Sequence, residues 1–234
     1  MSLPRDRLIV ALDVPSVEEA KALIERLGDS VGVYKIGLEL LFSGGFELAH
    51  ELARAGRSVF IDAKLLDIEA TVERATASIA RMGAQFLTVH ALDRKTLDAA
   101  VRGRGDSALK LLGVTVLTNL SPSDLIEHCI DHPLPELVLH RALLAKQAGF
   151  DGVIASGHEA ASIRKALGRD FLIVTPGVRP RGSDTQDQAR AVTPQTAIEA
   201  GADYLVVGRP ITRAPNPREA ADAIVAEITS ALPR

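Results

Sequence analysis

The chain reads as a single (β/α)8 barrel. Three observations lead there: eight short branched-aliphatic runs recur along the sequence, amphipathic helical stretches separate them, and no linker or low-complexity segment divides residues 1–234. An open doubly wound sheet is the alternative that the same alternation allows. The strand candidates are Leu8–Asp13, Val31–Ile36, Ser58–Lys64, Phe86–His90, Leu111–Leu117, Gly152–Ala155, Phe171–Thr175 and Tyr204–Val207. Each is apolar and bounded by glycine, proline or polar residues, as strands buried on both faces are. Helical stretches such as Ser16–Leu27 and Ile68–Met82 lie between them, and Ser16 with Glu19 reads as a capping box. Two excursions are longer. Ser121–Glu136, after the fifth strand, carries prolines and suggests a small extra helix, while Pro176–Thr193, after the seventh, is polar and of a length usually tied to function.

Composition fits this fold and excludes several roles. With 47% hydrophobic residues, 3% aromatics and no tryptophan, the core is expected to consist of Leu, Val, Ile and Ala. A net charge of −3 argues against a nucleic-acid binder or a membrane-surface protein, which usually carries a basic excess. Cys129 is the sole cysteine, so no intramolecular disulfide forms, and a reducing, cytoplasmic setting is expected. The opening MSLPRDRLIVALDVPS has an apolar run broken by Asp13 and Pro15, and reads as neither a signal peptide nor a membrane span.

Functional groups of such barrels gather at the C-terminal ends of strands and in the loops that follow. Lys35 lies near the end of the second strand, Asp62 and Lys64 end the third, and Asp67 opens the loop beyond it. Strand residues two apart share a face, so Asp62 and Lys64 should project together with Ala63 turned away. Alternating cations and carboxylates hold one another in place; at ~4 Å and an effective dielectric of ~20 each pair is worth roughly 4 kcal/mol before desolvation. Such a network keeps a lysine charged as an acid and fixes a carboxylate against a substrate. An ion-pair girdle closing the barrel mouth is the alternative.

The run Asp62-Ala63-Lys64-Leu65-Leu66-Asp67, followed by Ile68 and Thr71, resembles the active-site signature of the orotidine 5'-phosphate decarboxylase family. The resemblance extends along the chain: LIVALDVPS at 8–16, YKIG at 34–37, LTVHA at 87–91, VTVLT at 114–118, VTPGVRPRG at 174–182, Asp187-Gln188, and VGRP at 207–210. Departures are Glu69-Ala70 where the family often has Pro-Asn, Leu65-Leu66 where an aromatic or His is common, and Asn119 where many bacterial members have Ser.

That resemblance implies removal of CO2 from C6 of orotidine 5'-monophosphate to give UMP, without metal or organic cofactor. It implies that Asp62 lies beside the departing carboxylate, that Lys64 stabilises the developing carbanion and protonates C6, and that Lys35 orients Asp62 and the ribose hydroxyls. It implies a homodimer, with Asp67 and Thr71 reaching into the neighbouring subunit's site. Asp13 is expected at a ribose hydroxyl and Thr118 at the pyrimidine, although a strand-end cap and a plain strand end fit these two residues as well. Arg179, Gln188, Gly208 and Arg209 follow the seventh and eighth strands, where many barrels hold phosphate. The glycine would admit backbone N–H groups to the anion, the arginines would pair with it, and the long loop would close as a lid.

Other signals are weaker. His128, Cys129 and His132 have metal-like spacing without a fourth ligand. Residues 101–105 (VRGRG) imitate a dinucleotide fingerprint but follow a helix, not a strand. His90 reads as a packed histidine near the centre. Two rival functions remain: a magnesium-dependent sugar-phosphate enzyme on a related barrel, opposed by the cation at Lys35, and a nucleotide-binding regulator that has no need of a proton donor.

Overall fold

The computed structural model describes residues 3–180 and 192–232. Eight parallel strands close into a barrel in chain order: β1 (Leu8–Ala11), β2 (Val33–Gly37), β3 (Ser58–Leu65), β4 (Phe86–His90), β5 (Lys110–Val114), β6 (Gly152–Ile154), β7 (Leu172–Thr175) and β8 (Tyr204–Val207). β8 pairs back onto β1, with Leu8 opposite Leu205, so the sheet has no edge. The open-sheet alternative is excluded by that pairing.

The boundaries differ from expectation where side chains compete for the backbone. β5 stops at Val114 instead of Leu117. There Thr115 directs its N–H (3.3 Å) and its hydroxyl (2.9 Å) to the same Ile154 carbonyl, and Arg141 takes the Thr115 carbonyl at 2.6 Å. The chain therefore leaves the ladder and carries residues 116–119 over the barrel mouth.

Helices cover the outside, among them Val17–Leu27, Glu69–Met82, Arg94–Arg104, Leu134–Ala148, Gly157–Leu167 and Pro217–Ala231. Ser16 caps the first by accepting from the Glu19 N–H at 3.2 Å; the bond runs in that direction only, so it is half of the expected box. The excursion after β5 holds the expected small helix, Pro122–Glu127, which has a reciprocal Ser121–Asp124 box. No helix among the described residues is long and apolar enough to cross a membrane.

Two apolar layers result from the strands' twofold alternation. Leu, Ile, Val and Ala between sheet and helices form the larger one, as the composition suggests. The barrel interior is different. It contains Ile9, Val33, Leu112, Ile154, Val174 and Val206 around Phe60 and Phe86, with Tyr204 against them. Phe86 makes edge-on contacts with Phe60 (centroids 5.9 Å apart) and Tyr204 (5.2 Å). Phe60, Phe86 and Tyr204 thus pack together inside the barrel, below the polar positions. One step further along the interior-facing positions, apolar side chains give way to Lys35, Asp62 and Thr88.

Gly152 in β6 marks how closely the strands approach. A Cβ there would stand 2.4 Å from the Leu172 carbonyl oxygen, a backbone atom that cannot move aside. Gly152→Ala is expected to destabilise the fold by about 1–3 kcal/mol through overpacking, measured as a fall in melting temperature.

Candidate active site

The ends of β1 to β3 bring four charges into one line. Lys35 Nζ lies 3.0 Å from Asp13 Oδ1 and 3.3 Å from Asp62 Oδ2, and Lys64 Nζ lies 2.8 Å from Asp62 Oδ1. Thr88 of β4 completes the carboxylate's shell, donating its hydroxyl to Asp62 Oδ1 at 2.9 Å. Asp62 therefore has partners on both oxygens, and Lys35 has a carboxylate on two sides.

Lys64 reaches Asp62 by a route that simple alternation does not describe. Ile61 pairs with Leu87 and Leu65 with Val89, so Asp62, Ala63 and Lys64 stand opposite Thr88 alone. At this bulge Lys64 takes φ 47°, in the left-handed region that costs a non-glycine residue about 1–2 kcal/mol. Its N–H, displaced from the ladder, is accepted by Thr88 Oγ1 at 3.0 Å. Ala63 turns toward the outer core, as expected.

Burial, the largest single influence on Lys35, would lower its pKa, but Asp62 and Asp13 outweigh it and hold the ammonium above the usual lysine range. Burial likewise pushes the Asp62 carboxyl up, and Lys35 and Lys64 outweigh it, holding the group below the usual carboxylate range. His90, beyond Thr88 on β4, is lowered by burial and by the cations Lys64 and Arg141. Its side chain is thus biased toward the neutral imidazole.

A cavity of about 460 Å³ opens above this cluster. It is lined by Asp13, Lys35, Asp62 and Lys64, by Phe60, by residues 116–119, and by Gly177, Arg179, Gly208, Arg209 and Arg213. Arg179 is buried, and its N–H bonds the Val192 carbonyl at 2.9 Å beside a Val178–Val192 bridge that ties the two described ends of the loop together. Gly208 caps the short helix Arg209–Thr212; a Cβ there would meet protein only at ordinary contact, 3.7 Å from Ala11, so its missing side chain leaves room on the cavity side.

The structure thus gathers Asp13, Lys35, Asp62, Lys64, Thr118, Arg179, Gly208 and Arg209 around one space. Gln188 lies outside the described residues. Asp67 and Thr71 are exposed and do not line that cavity. Asp67 accepts from the Ile68 N–H and borders a separate surface hollow with Leu66, Ile68 and Lys95. Three participants went unnoticed in the sequence. Thr88 sits at the interior-facing position two before His90, so alternation along β4 would have found it. Arg213 follows Arg209 by one helical turn. Gly37 is the third: a Cβ there would stand 2.9 Å from Lys35 Nζ and 3.0 Å from Asp13 Oδ1.

Comparison with known proteins gives this geometry a lineage. The profile of the Orotidine 5'-phosphate decarboxylase / HUMPS family matches residues 6–224. The chain belongs to that family. Among curated relatives it is 54% identical to the orotidine 5'-phosphate decarboxylase of Methylobacterium nodulans, over 97% of this chain and 98% of that protein. It is also 54% identical to that of Rhodopseudomonas palustris, over 97% and 96%. Solved structures agree: the orotidine 5'-phosphate decarboxylase from Lactobacillus acidophilus superposes with a TM-score of 0.83 at 38% identity, covering 94% of this chain and 98% of that one. The Orotidine 5'-phosphate decarboxylase / HUMPS barrel is therefore shared from end to end.

The charge cluster has a defined pH signature. Because the Asp62 value is depressed in the folded chain, its stabilisation is present above the ordinary carboxylate range and is lost as pH falls through that range and below. Lys35, raised, contributes at neutral pH and loses its contribution only as pH climbs above the ordinary lysine value. Asp62→Asn is expected to lower the melting temperature at pH 7, with the gap to the parent chain narrowing as pH drops below about 4. A gap independent of pH would mean that the carboxylate's charge does not stabilise the cluster.

Proposed function

We propose that this chain decarboxylates orotidine 5'-monophosphate to UMP, the last step of de novo pyrimidine nucleotide synthesis, without metal or organic cofactor. The observation that carries the reading is the Lys35–Asp62–Lys64 cluster in a cavity that arginines also line, in a chain 54% identical to proteins named for this activity.

Loss of CO2 leaves the bonding electron pair on C6, in an orbital that the pyrimidine ring does not delocalise. Asp62, held ionised, would face the departing carboxylate, and their repulsion fades as CO2 leaves. Lys64 would stabilise the carbanion and then pass a proton from Nζ to C6, ending as a neutral amine. Between the two lysines Lys64 is the better donor: its side chain is 30% exposed at the cavity, against 9% for Lys35, which is held by two carboxylates. Lys35 fixes Asp62 and, with Asp13, meets the ribose hydroxyls. Thr118 contacts the pyrimidine. Arg179, Gln188, Gly208 and Arg209 hold the phosphate, whose binding energy is expressed at the distant reacting carbon. Asp62 already accepts from Lys35, Lys64 and Thr88, which supports a metal-free reaction.

The same reading makes residues 1–234 one catalytic domain working in the cytoplasm on a small nucleotide, not on nucleic acid. It also makes the enzyme a homodimer with shared sites. Leu66 (51% exposed) and Ile68 (72%) flank Asp67, an apolar rim suited to a second subunit, where Asp67 and Thr71 would enter the partner's site.

Ultraviolet absorbance should report conversion of orotidine monophosphate to UMP, with the rate unchanged by EDTA; loss on chelation would favour a metal-dependent relative. Lys64→Ala should abolish turnover, whereas Arg209→Ala should raise KM far more than it lowers kcat. Mixing Lys64→Ala with Asp67→Ala chains tests the shared site. A mixed dimer would contain one intact site and regain activity, and no recovery after subunit exchange would place both residues in one subunit's site.

A further inference from the structure

We infer that Thr88 is a positioning residue whose single hydroxyl sets both halves of the proton-donating pair, the Asp62 carboxylate and the backbone of Lys64. The inference rests on the decarboxylase reading and extends it to a residue on a strand that carries none of the proposed catalytic groups.

The argument starts from the bulge. Opposite Thr88, β3 has lost its regular ladder, and Lys64 sits at φ 47°. A backbone N–H turned out of a ladder inside a barrel needs another acceptor, or it costs the full penalty of an unpaired buried donor. Thr88 Oγ1 is that acceptor, at 3.0 Å. The hydroxyl proton then has one direction left, and it goes to Asp62 Oδ1 at 2.9 Å, the oxygen that also holds Lys64 Nζ at 2.8 Å. Lys64 N–H, Thr88 O–H, Asp62 carboxylate and Lys64 ammonium thus close a ring. Thr88 is completely buried, so water does not substitute for it. A serine preserves this ring, whereas a valine of the same outline removes the acceptor and the donor together.

The charged and titratable groups around Asp62 are Lys35 from β2, Asp13 beyond β1, Lys64 on its own strand and His90 on β4, with Arg141 acting on His90 from the helix Leu134–Ala148. Changing Thr88 removes none of these charges; it acts on them only through the Asp62 carboxylate and the Lys64 backbone. A hydrogen bond to the ionised carboxylate lowers its pKa, so removing it moves the Asp62 titration, and the acid limb of kcat, to higher pH.

The test compares Thr88→Val, Thr88→Ser and the parent chain by steady-state decarboxylation of orotidine monophosphate across pH. It also follows Asp62 by carboxyl 13C NMR titration of the ligand-free protein. Expected are a kcat about 10- to 100-fold lower for valine, from loss of hydrogen bonds to charged and backbone partners, and a KM within about threefold. The acid limb and the Asp62 titration should both move up, and serine should restore all of these. Equal losses in serine and valine would reduce Thr88 to packing, and a valine variant with parental kcat and Asp62 titration would overturn the inference. If valine does not fold, Thr88→Ala replaces it under the same criteria. A parent chain inert toward orotidine monophosphate would sink the decarboxylase reading, while the ligand-free titration would still decide the role of Thr88.

Discussion

Two ammonium groups in one barrel mouth repel each other unless a carboxylate stands between them, and Asp62 is that carboxylate. Its oxygens accept from Lys64 and Thr88 on one side and Lys35 on the other. Most of the upper barrel follows from this. Lys35 is buried and stays charged because Asp62 and, from just beyond β1, Asp13 face it. β3 bulges so that Lys64 doubles back onto the residue two before it.

Much of this is legible in the sequence because barrels obey local rules. Short branched-aliphatic runs alternating with helices sufficed for the eight strands, and the strand end carrying Asp62 and Lys64 was legible, although a bulge and not plain alternation brings the two together. The positions of Lys35 and Arg209 follow from strand ends. What escaped depends on pairings between distant segments. The early end of β5 is decided by Thr115 and Arg141 competing for backbone groups of other strands. The bulge at Asp62–Lys64 exists only relative to β4. Thr88 looks like an ordinary β-branched strand residue until its hydroxyl is seen between two residues of the neighbouring strand. The aromatic filling of the barrel floor is similarly invisible to composition, since it reflects which few side chains face inward and not how many there are.

Asp67 shows another boundary of single-chain reasoning. Its place in the motif, three residues after Lys64, suggests a fourth member of the charge line, yet β3 ends at Leu65 and carries it to the surface. Sequence spacing measures distance along a chain, whereas charge balance operates through space. The two coincide for Asp62 and Lys64 and separate three residues later, at Asp67.

Gly37 carries a different implication. Its missing methyl is the space in which Lys35 Nζ and Asp13 Oδ1 meet, and both atoms lie at the ends of side chains that would swing away. An alanine there would leave the barrel intact while parting a charge pair. Glycine here therefore serves electrostatics through an absence of atoms.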